Sequence, residues 1–246
     1  MTLDVVFTPH GLGPTEVAGR TIFVVDVLRA TTAMCAALAH GARAIIPVAS
    51  SEEAVRLGQT LGNDDVLLAG ERNCVPIPGF ALGNSPIEMT EAVVKGKVLI
   101  VTTTNGTKAL LATQGARAVY IAAAANHSLA GARAREVLEQ EGDLLIVCAG
   151  REGAFSLDDA YCAGRLAVEA LGGRFTRRGL NDAAVASLDI VRRYGERWIR
   201  PLSWSRSGVD LIRLGLADDV RDAARPDAYP VLAHYHERRV TVAPQA

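Results

Sequence analysis

Four polar clusters in the 246-residue chain hold residue types that can do chemistry, and each follows a short apolar run. The first is Asp26-Val27-Leu28-Arg29-Ala30-Thr31-Thr32, where an apolar stretch delivers a carboxylate, a guanidinium and two hydroxyls. Asp26 can bind a cation or accept a proton, and Arg29 can hold an anionic oxygen in its planar fork. Capping of the next helix by Asp26 or Thr31 is the simpler reading, but it gives Arg29 nothing to do. The second cluster starts at Gly70-Glu71-Arg72-Asn73 and ends at Asn84-Ser85-Pro86-Ile87-Glu88. Ser85, Pro86 and Glu88 fit a capping box with proline at the first helical position. Glu71, Arg72 and Asn84 have no such local explanation, so they are site candidates together with Ser85. The third, Thr102-Thr103-Thr104-Asn105-Gly106-Thr107, offers hydroxyls and free backbone N–H groups at a helix start. Such a start cradles phosphate without net charge, and Gly106 lets the backbone approach an anion closely. An ordinary cap needs one hydroxyl, not a run of threonines. The fourth runs from Cys148-Ala149-Gly150-Arg151-Glu152 to Ser156-Leu157-Asp158-Asp159. Ser156 and Asp159 read as another capping box. Alternatively, Asp158 and Asp159 join Asp26 and Glu71 around a divalent cation. Magnesium suits such oxygens, because it takes few protein ligands and keeps several waters.

A cation beside an anion-binding backbone suits a small, multiply charged phosphate ester. The expected chemistry is displacement at phosphorus, with Mg²⁺ neutralising charge and activating or orienting water. Asp26, Glu71 and Asp159 are the expected metal or base groups. Arg29 and Arg151 are the expected anchors for substrate anions, and Thr104–Thr107 the phosphate cradle. Other phosphate chemistries lack their motifs. Gly96-Lys97 is followed by Val98, so there is no P-loop, and no Gly-x-Gly-x-x-Gly marks a dinucleotide site. No arginine follows a cysteine at the spacing a cysteine phosphatase needs, since those positions are Gly41, Phe80, Ala154 and Val168. Leu28 stands where an aspartyl-phosphate phosphatase needs a second Asp after Asp26. The histidines His10, His40, His127, His234 and His236 form no dense cluster, and His234 and His236 read as a surface strand.

The clusters need a scaffold that sets several chain segments on one rim. Strands are expected at Leu3–Phe7, Thr21–Val27, Ala44–Val48, Val66–Ala69, Val98–Thr102, Ala118–Ala122 and Leu144–Cys148. Helices are expected between them at Thr31–His40, Ser51–Leu61, Pro86–Val94, Thr107–Gln114, Ser128–Gln140 and Leu157–Leu171. This alternation is that of an α/β layered fold with much parallel pairing. In such sheets ligands bind beyond the carboxyl ends of the strands, where all four clusters fall. Glu71 to Ser85 reads as a structureless, functional loop. Further helices are expected at Asn181–Tyr194 and Gly208–Leu214, and Arg239–Val242 as an edge strand. The chain reads as a single domain over residues 1–246, with a soft lobe boundary near Asn126 or Gly172 but no linker.

Composition narrows the class. Lys plus Arg total 26 against 27 Asp plus Glu, a net charge of -1, which gives no field to draw nucleic acid. No apolar run approaches the roughly 18 residues of a membrane span. Cys35, Cys74, Cys148 and Cys162 show neither zinc nor disulfide spacing, and the residues before the first strand lead to the expectation of no signal peptide. The expectation is a cytoplasmic protein with reduced thiols, and a homodimer on base rates.

As an ordered set, Asp26-Val-Leu-Arg-Ala-Thr-Thr32, Gly70-Glu-Arg72, Gly79-Phe-x-x-Gly-Asn-Ser-Pro86, Thr103-Thr-Asn-Gly-Thr107 and Cys148-Ala-Gly150 resemble the 2-phosphosulfolactate phosphatase family. Phe155-Ser-Leu-x-Asp159, Ala163-Gly164 and Ser207-Gly208 with Leu211 extend the resemblance over nearly the whole chain. It implies a Mg²⁺-dependent phosphatase of three-layer α/β/α architecture with a mostly parallel or mixed sheet. It also implies hydrolysis of 2-phospho-3-sulfolactate to 3-sulfolactate and phosphate, a step of coenzyme M biosynthesis. Asp26, Arg29, Glu71, Asn84, Thr104, Asn105 and Asp159 carry over as site residues. The chain departs from the family pattern at Ala81, where Asp is usual, and at Cys74, where Gly is usual. Two rival readings are a phosphatase for another organic phosphate and a non-catalytic sensor of phosphorylated acids, the latter favoured by Ala81.

Overall fold

The computed structural model describes residues 1–62 and 65–243. The N-terminal part runs β1 (Thr2–Val6), α1 (Pro14–Val17), β2 (Thr21–Val25), α2 (Ala30–Ala39), β3 (Ala44–Pro47), α3 (Ser51–Leu61), β4 (Val66–Arg72) and β5 (Val75–Pro76). Next come α4 (Glu91–Val94), β6 (Val98–Thr102), α5 (Gly106–Leu111), β7 (Ala118–Ala122), α6 (His127–Gln140) and β8 (Asp143–Cys148). The chain ends with α7 (Leu157–Ala170), α8 (Asp182–Tyr194), α9 (Ile199–Trp204), α10 (Arg206–Arg213), α11 (Ala217–Ala223), β9 (Ala233–His236) and β10 (Arg239–Val242). Every strand expected from an apolar run forms, most with ends shifted by a residue or two.

The strands make one mixed sheet in the order β1-β8-β2-β7-β9-β10-β3-β6-β4-β5. One parallel block is β1-β8-β2-β7 and another is β3-β6-β4, with the antiparallel hairpin β9-β10 between them. Side chains along β2 alternate between two cores. Phe23 and Val25 pack with residues of α6, α7 and α8, whereas Ile22 and Val24 pack with α2. A strand buried on both faces reads as a continuous apolar run, which is why Thr21–Val25 shows no polar alternation. The architecture is therefore α/β, a mixed sheet with helices on both faces.

Three expectations change. Arg239–Val242 is internal, not an edge, because Ala233–His236 forms an unforeseen partner strand. The intervening Glu237 and Arg238 both have positive φ, 47° and 61°, the backbone of a tight hairpin turn. Neither residue type announces such a turn. Pro86–Val94 is not one helix: a single 3₁₀ turn at Pro86–Glu88 is separated from α4, and the Met89 carbonyl between them contacts His40 Nδ1 at 2.5 Å. The Glu71–Ser85 segment is ordered by hydrogen bonds. β5 pairs back on β4, the Gly70 N–H donates to Leu82 O at 3.1 Å, and the Ala81 N–H donates to Leu68 O at 3.0 Å.

The opposite edge is closed by Asn181. Its Oδ1 accepts from Ala184 N at 2.9 Å, capping α8, and from Val5 N at 3.1 Å, while its Nδ2 donates to Val5 O at 2.8 Å. One side chain thus caps a helix and covers part of an open strand edge. A lobe boundary at Asn126 or Gly172 would cut through the sheet, since β8 lies between β1 and β2 and β9 lies beside β7. No helix among the described residues is long and apolar enough to cross a membrane.

Candidate active site

The carboxyl ends of β2, β4, β6 and β8 converge on a small, narrow cleft. Asp26, Arg29, Glu71, Asn84, Thr104, Asn105 and Arg151 line it, together with Cys74 and Glu152. The sequence clusters therefore do meet, though not all of their residues face the cleft.

Asp26 sits where β2 ends and is only 6% exposed. The loop is locked by Thr31, whose Oγ1 donates to Asp26 O at 2.7 Å and accepts from Asp26 N at 3.1 Å. Asp26 Oδ1 accepts from Ala30 N at 3.2 Å, at the start of α2. Its Oδ2 faces Gly106, where an added Cβ would stand 2.6 Å away and also 2.5 Å from Ala30 Cβ. The glycine thus lets α5 close down on Asp26. Burial raises the Asp26 pKa to about 7, and the Asp158 and Glu71 carboxylates push the same way against Ala30 N–H and Arg29.

Glu71 is held from the other half of the sheet. Its Oε1 accepts from Thr104 N at 2.7 Å, and its Oε2 accepts from Cys74 N at 2.7 Å and from Thr104 Oγ1 at 3.2 Å. These bonds join the end of β4 to the loop after β6. They also occupy Thr104, leaving the Asn105 and Gly106 N–H groups as the remaining part of the expected cradle. Thr103 and Thr107 bond each other instead. Thr107 N donates to Thr103 Oγ1 at 3.1 Å and Thr107 Oγ1 donates to Thr103 O at 3.0 Å, so this pair caps α5 from inside the core.

The arginines are already engaged. Arg29 is 5% exposed, and its NH1 lies 2.6 Å from Asp219 Oδ2, with NH2 donating to Cys74 O at 3.0 Å. Ser85 Oγ donates to the other oxygen of Asp219 at 2.6 Å. Ser85 is therefore not the side-chain cap expected of it, and Glu88 Oε2 accepts from Gly83 N at 3.0 Å instead. Asp219, on α11, is the residue the sequence reading missed. As one of two adjacent acids opening a short helix, it looks like an ordinary dipole partner. Arg151 pairs with Asp210 at 2.7 Å. Arg72 turns away from the cleft, donating to Glu71 O at 2.8 Å and Thr102 Oγ1 at 3.0 Å. It braces two strands and does not face the cleft, as a substrate contact would.

Asp159 also serves the scaffold. Its Oδ1 accepts from Val27 N and its Oδ2 from Gly150 N, each at 2.9 Å, so it ties the ends of β2 and β8 together. Ser156 bonds Asp158, and no capping box forms with Asp159. Gly150 has φ of 64°, and a Cβ there would meet Ala154 O at 2.4 Å, so this glycine shapes the turn behind the cleft. Burial raises Asp159 well above the usual carboxylate range, helped by Asp158 and Asp26. Among the described residues, no three or more His, Cys, Asp or Glu side chains are grouped to hold a metal. Of the expected trio, Asp26 and Glu71 line the cleft and Asp159 does not. Ala81 is exposed and outside the cleft, so this departure does not touch its wall. Cys74 lines it, with φ of 67°, a backbone conformation that comes more easily to glycine.

A family model described as 2-phosphosulpholactate phosphatase matches residues 6–238. The chain belongs to the 2-phosphosulfolactate phosphatase family. A protein of Symbiobacterium thermophilum named probable 2-phosphosulfolactate phosphatase is 42% identical over 227 residues, covering 92% of this chain and 96% of that protein. Two others bear the same name. One from Clostridium acetobutylicum is 34% identical over 235 residues, covering 96% of this chain and 97% of its own. One from Caldanaerobacter subterraneus is 35% identical over 232 residues, covering 94% of each chain. The 2-phosphosulfolactate phosphatases are phosphoric monoester hydrolases, and this member is one of them.

Proposed function

We propose that this chain hydrolyses 2-phospho-3-sulfolactate to 3-sulfolactate and phosphate with the help of Mg²⁺. The observation that carries this reading is the charge balance of the cleft. Asp26, Glu71 and Glu152 line it against Arg29 and Arg151, and each arginine is already paired with an acid, Asp219 or Asp210. An ester bearing phosphate, carboxylate and sulfonate enters such a site only with a cation. The donor set fits one. Mg²⁺ is commonly held by one or two carboxylates with waters and substrate oxygens completing its shell. Asp26 and Glu71 would hold it, and the repulsion that helps raise Asp26 is what a cation relieves.

Bound there, Mg²⁺ would neutralise phosphoryl charge and help orient water. The chain's own residues do the positioning. The Asn105 and Gly106 N–H groups receive phosphate oxygens. Arg29, fixed by Asp219, and Arg151, fixed by Asp210, flank the planar carboxylate. Asn84, buried in the wall, orients the ester through its amide. The host pathway is coenzyme M or sulfolactate formation, and the cell compartment the cytoplasm.

The test is phosphate release from 2-phosphosulfolactate, with Mg²⁺ or with EDTA, beside a panel of phosphorylated hydroxy acids. Release that needs Mg²⁺ and prefers the sulfonated ester is expected. Equal rates with EDTA would sink the metal role. Faster turnover of another ester would reassign the substrate.

A further inference from the structure

A second recess opens beside the catalytic cleft and shares Thr104, Asn105 and Glu152 with it. Its far wall includes His10, in the loop after β1, and Lys108, on α5. The two hollows adjoin at Asn105 and Glu152. Glu152 N donates to Asn105 Oδ1 at 3.0 Å, which pins the loop after β8 to the start of α5. Lys108 follows Asn105 by three residues, a spacing that puts neighbours on one side of a helix.

Lys108 differs from the arginines of the four clusters in one respect. Arg29, Arg72 and Arg151 are each engaged by an acid or by backbone and hydroxyl oxygens. Lys108 is exposed and has no hydrogen-bond or ion-pair partner among the described residues. An anion that approaches Arg29 or Arg151 must compete with Asp219 or Asp210. One that approaches Lys108 displaces only water. The free cation therefore stands at the outer end of the site, across Asn105 from the catalytic acids.

We propose that Lys108, in the recess that His10 also lines, binds the terminal acid group of the substrate, one carbon beyond the phosphate-bearing carbon. In the ester proposed above, that group is the sulfonate. The inference rests on the proposed phosphatase reading and deepens it by assigning selectivity to the second recess. Glu152, where the hollows adjoin and 3.9 Å from Arg151, opposes loose entry of anions, so only an acid that reaches Lys108 gains.

The experiment compares kcat/KM for 2-phosphosulfolactate and 2-phospholactate, which lacks the sulfonate, in the wild type and in Lys108→Gln. Loss of one partly exposed charge-assisted contact should lower the ratio of the two values about tenfold. The change should fall mainly on KM for the sulfonated ester. An unchanged ratio overturns the proposal while leaving phosphatase activity intact. Calorimetric titration of 3-sulfolactate and of lactate into both proteins separates the remaining cases. A wild type that turns over neither ester, yet binds sulfolactate through Lys108, removes the phosphatase reading and keeps the recess. A wild type that binds neither acid and turns over neither ester removes both.

Discussion

Asp26→Asn should make the metal-free protein more stable at pH 8 and inactive at every pH. The side chain is buried, and burial moves its carboxyl from an ordinary 3.8 to about 7. At 1.36 kcal/mol per pH unit, that difference corresponds to about 4 kcal/mol of strain once Asp26 is ionised. The sign follows from proton counting. Between pH 3.8 and about 7 the folded chain binds more protons at this site than the unfolded chain does, so stability falls as pH rises. Above pH 7 both states are ionised and the cost is constant. Asparagine keeps an oxygen for the Ala30 N–H and carries no charge. Urea unfolding in EDTA should therefore show the variant matching the wild type near pH 4 and exceeding it by up to about 4 kcal/mol at pH 8. Saturating Mg²⁺ should narrow the gap, because it binds only the folded wild type tightly. A variant no more stable than the wild type at pH 8 in EDTA would refute the argument that the cleft holds a strained charge. Wild-type turnover in the variant would remove Asp26 from the mechanism.

Other expectations follow from the same geometry. Asp219→Ala leaves Arg29 buried without its counter-ion and Ser85 without its acceptor, so urea denaturation should show a loss of about 3–5 kcal/mol. Gly106→Ala forces a methyl group against Ala30 and Asp26. A stability cost of about 1–3 kcal/mol should accompany a drop in kcat, and wild-type kinetics would mean α5 does not set the position of Asp26. Arg72→Ala should leave KM within about twofold, because the side chain braces β4 and β6 outside the cleft. A large rise in KM would return Arg72 to the substrate site.

What the sequence revealed, and what it did not, divides along physical lines. The parallel strands were legible because both faces are buried, so each is a bounded apolar run, as in Val98–Thr102. The hairpin β9-β10 was not, because Ala-His-Tyr-His and the Glu237-Arg238 turn carry weak signals of strand or turn. At the site, Asp26, Glu71 and Thr104 were legible as polar residues at strand ends. Asp159 and Arg72 sit at such ends too, but face backbone groups of neighbouring strands, and only the sheet order decides that. Asp219 was hidden for the opposite reason. Its partner lies 190 residues away, and nothing local distinguishes it from Asp218. Ser85 and Ser156 show how one short pattern serves two uses, since each hydroxyl bonds an acid rather than its own helix.

The place of β10 has a bearing on how the two halves of the cleft are held together. Asp26 and Gly150 stand on one parallel block, Glu71 and Thr104 on the other, and among the described residues β9 and β10 are the strands that link the blocks in the ladder. Thr2 pairs with Asp143 across the first block, so that half waits for distant chain, a slow kind of closure. The hairpin β9-β10 and the start of α5 together set the two halves of the cleft against each other.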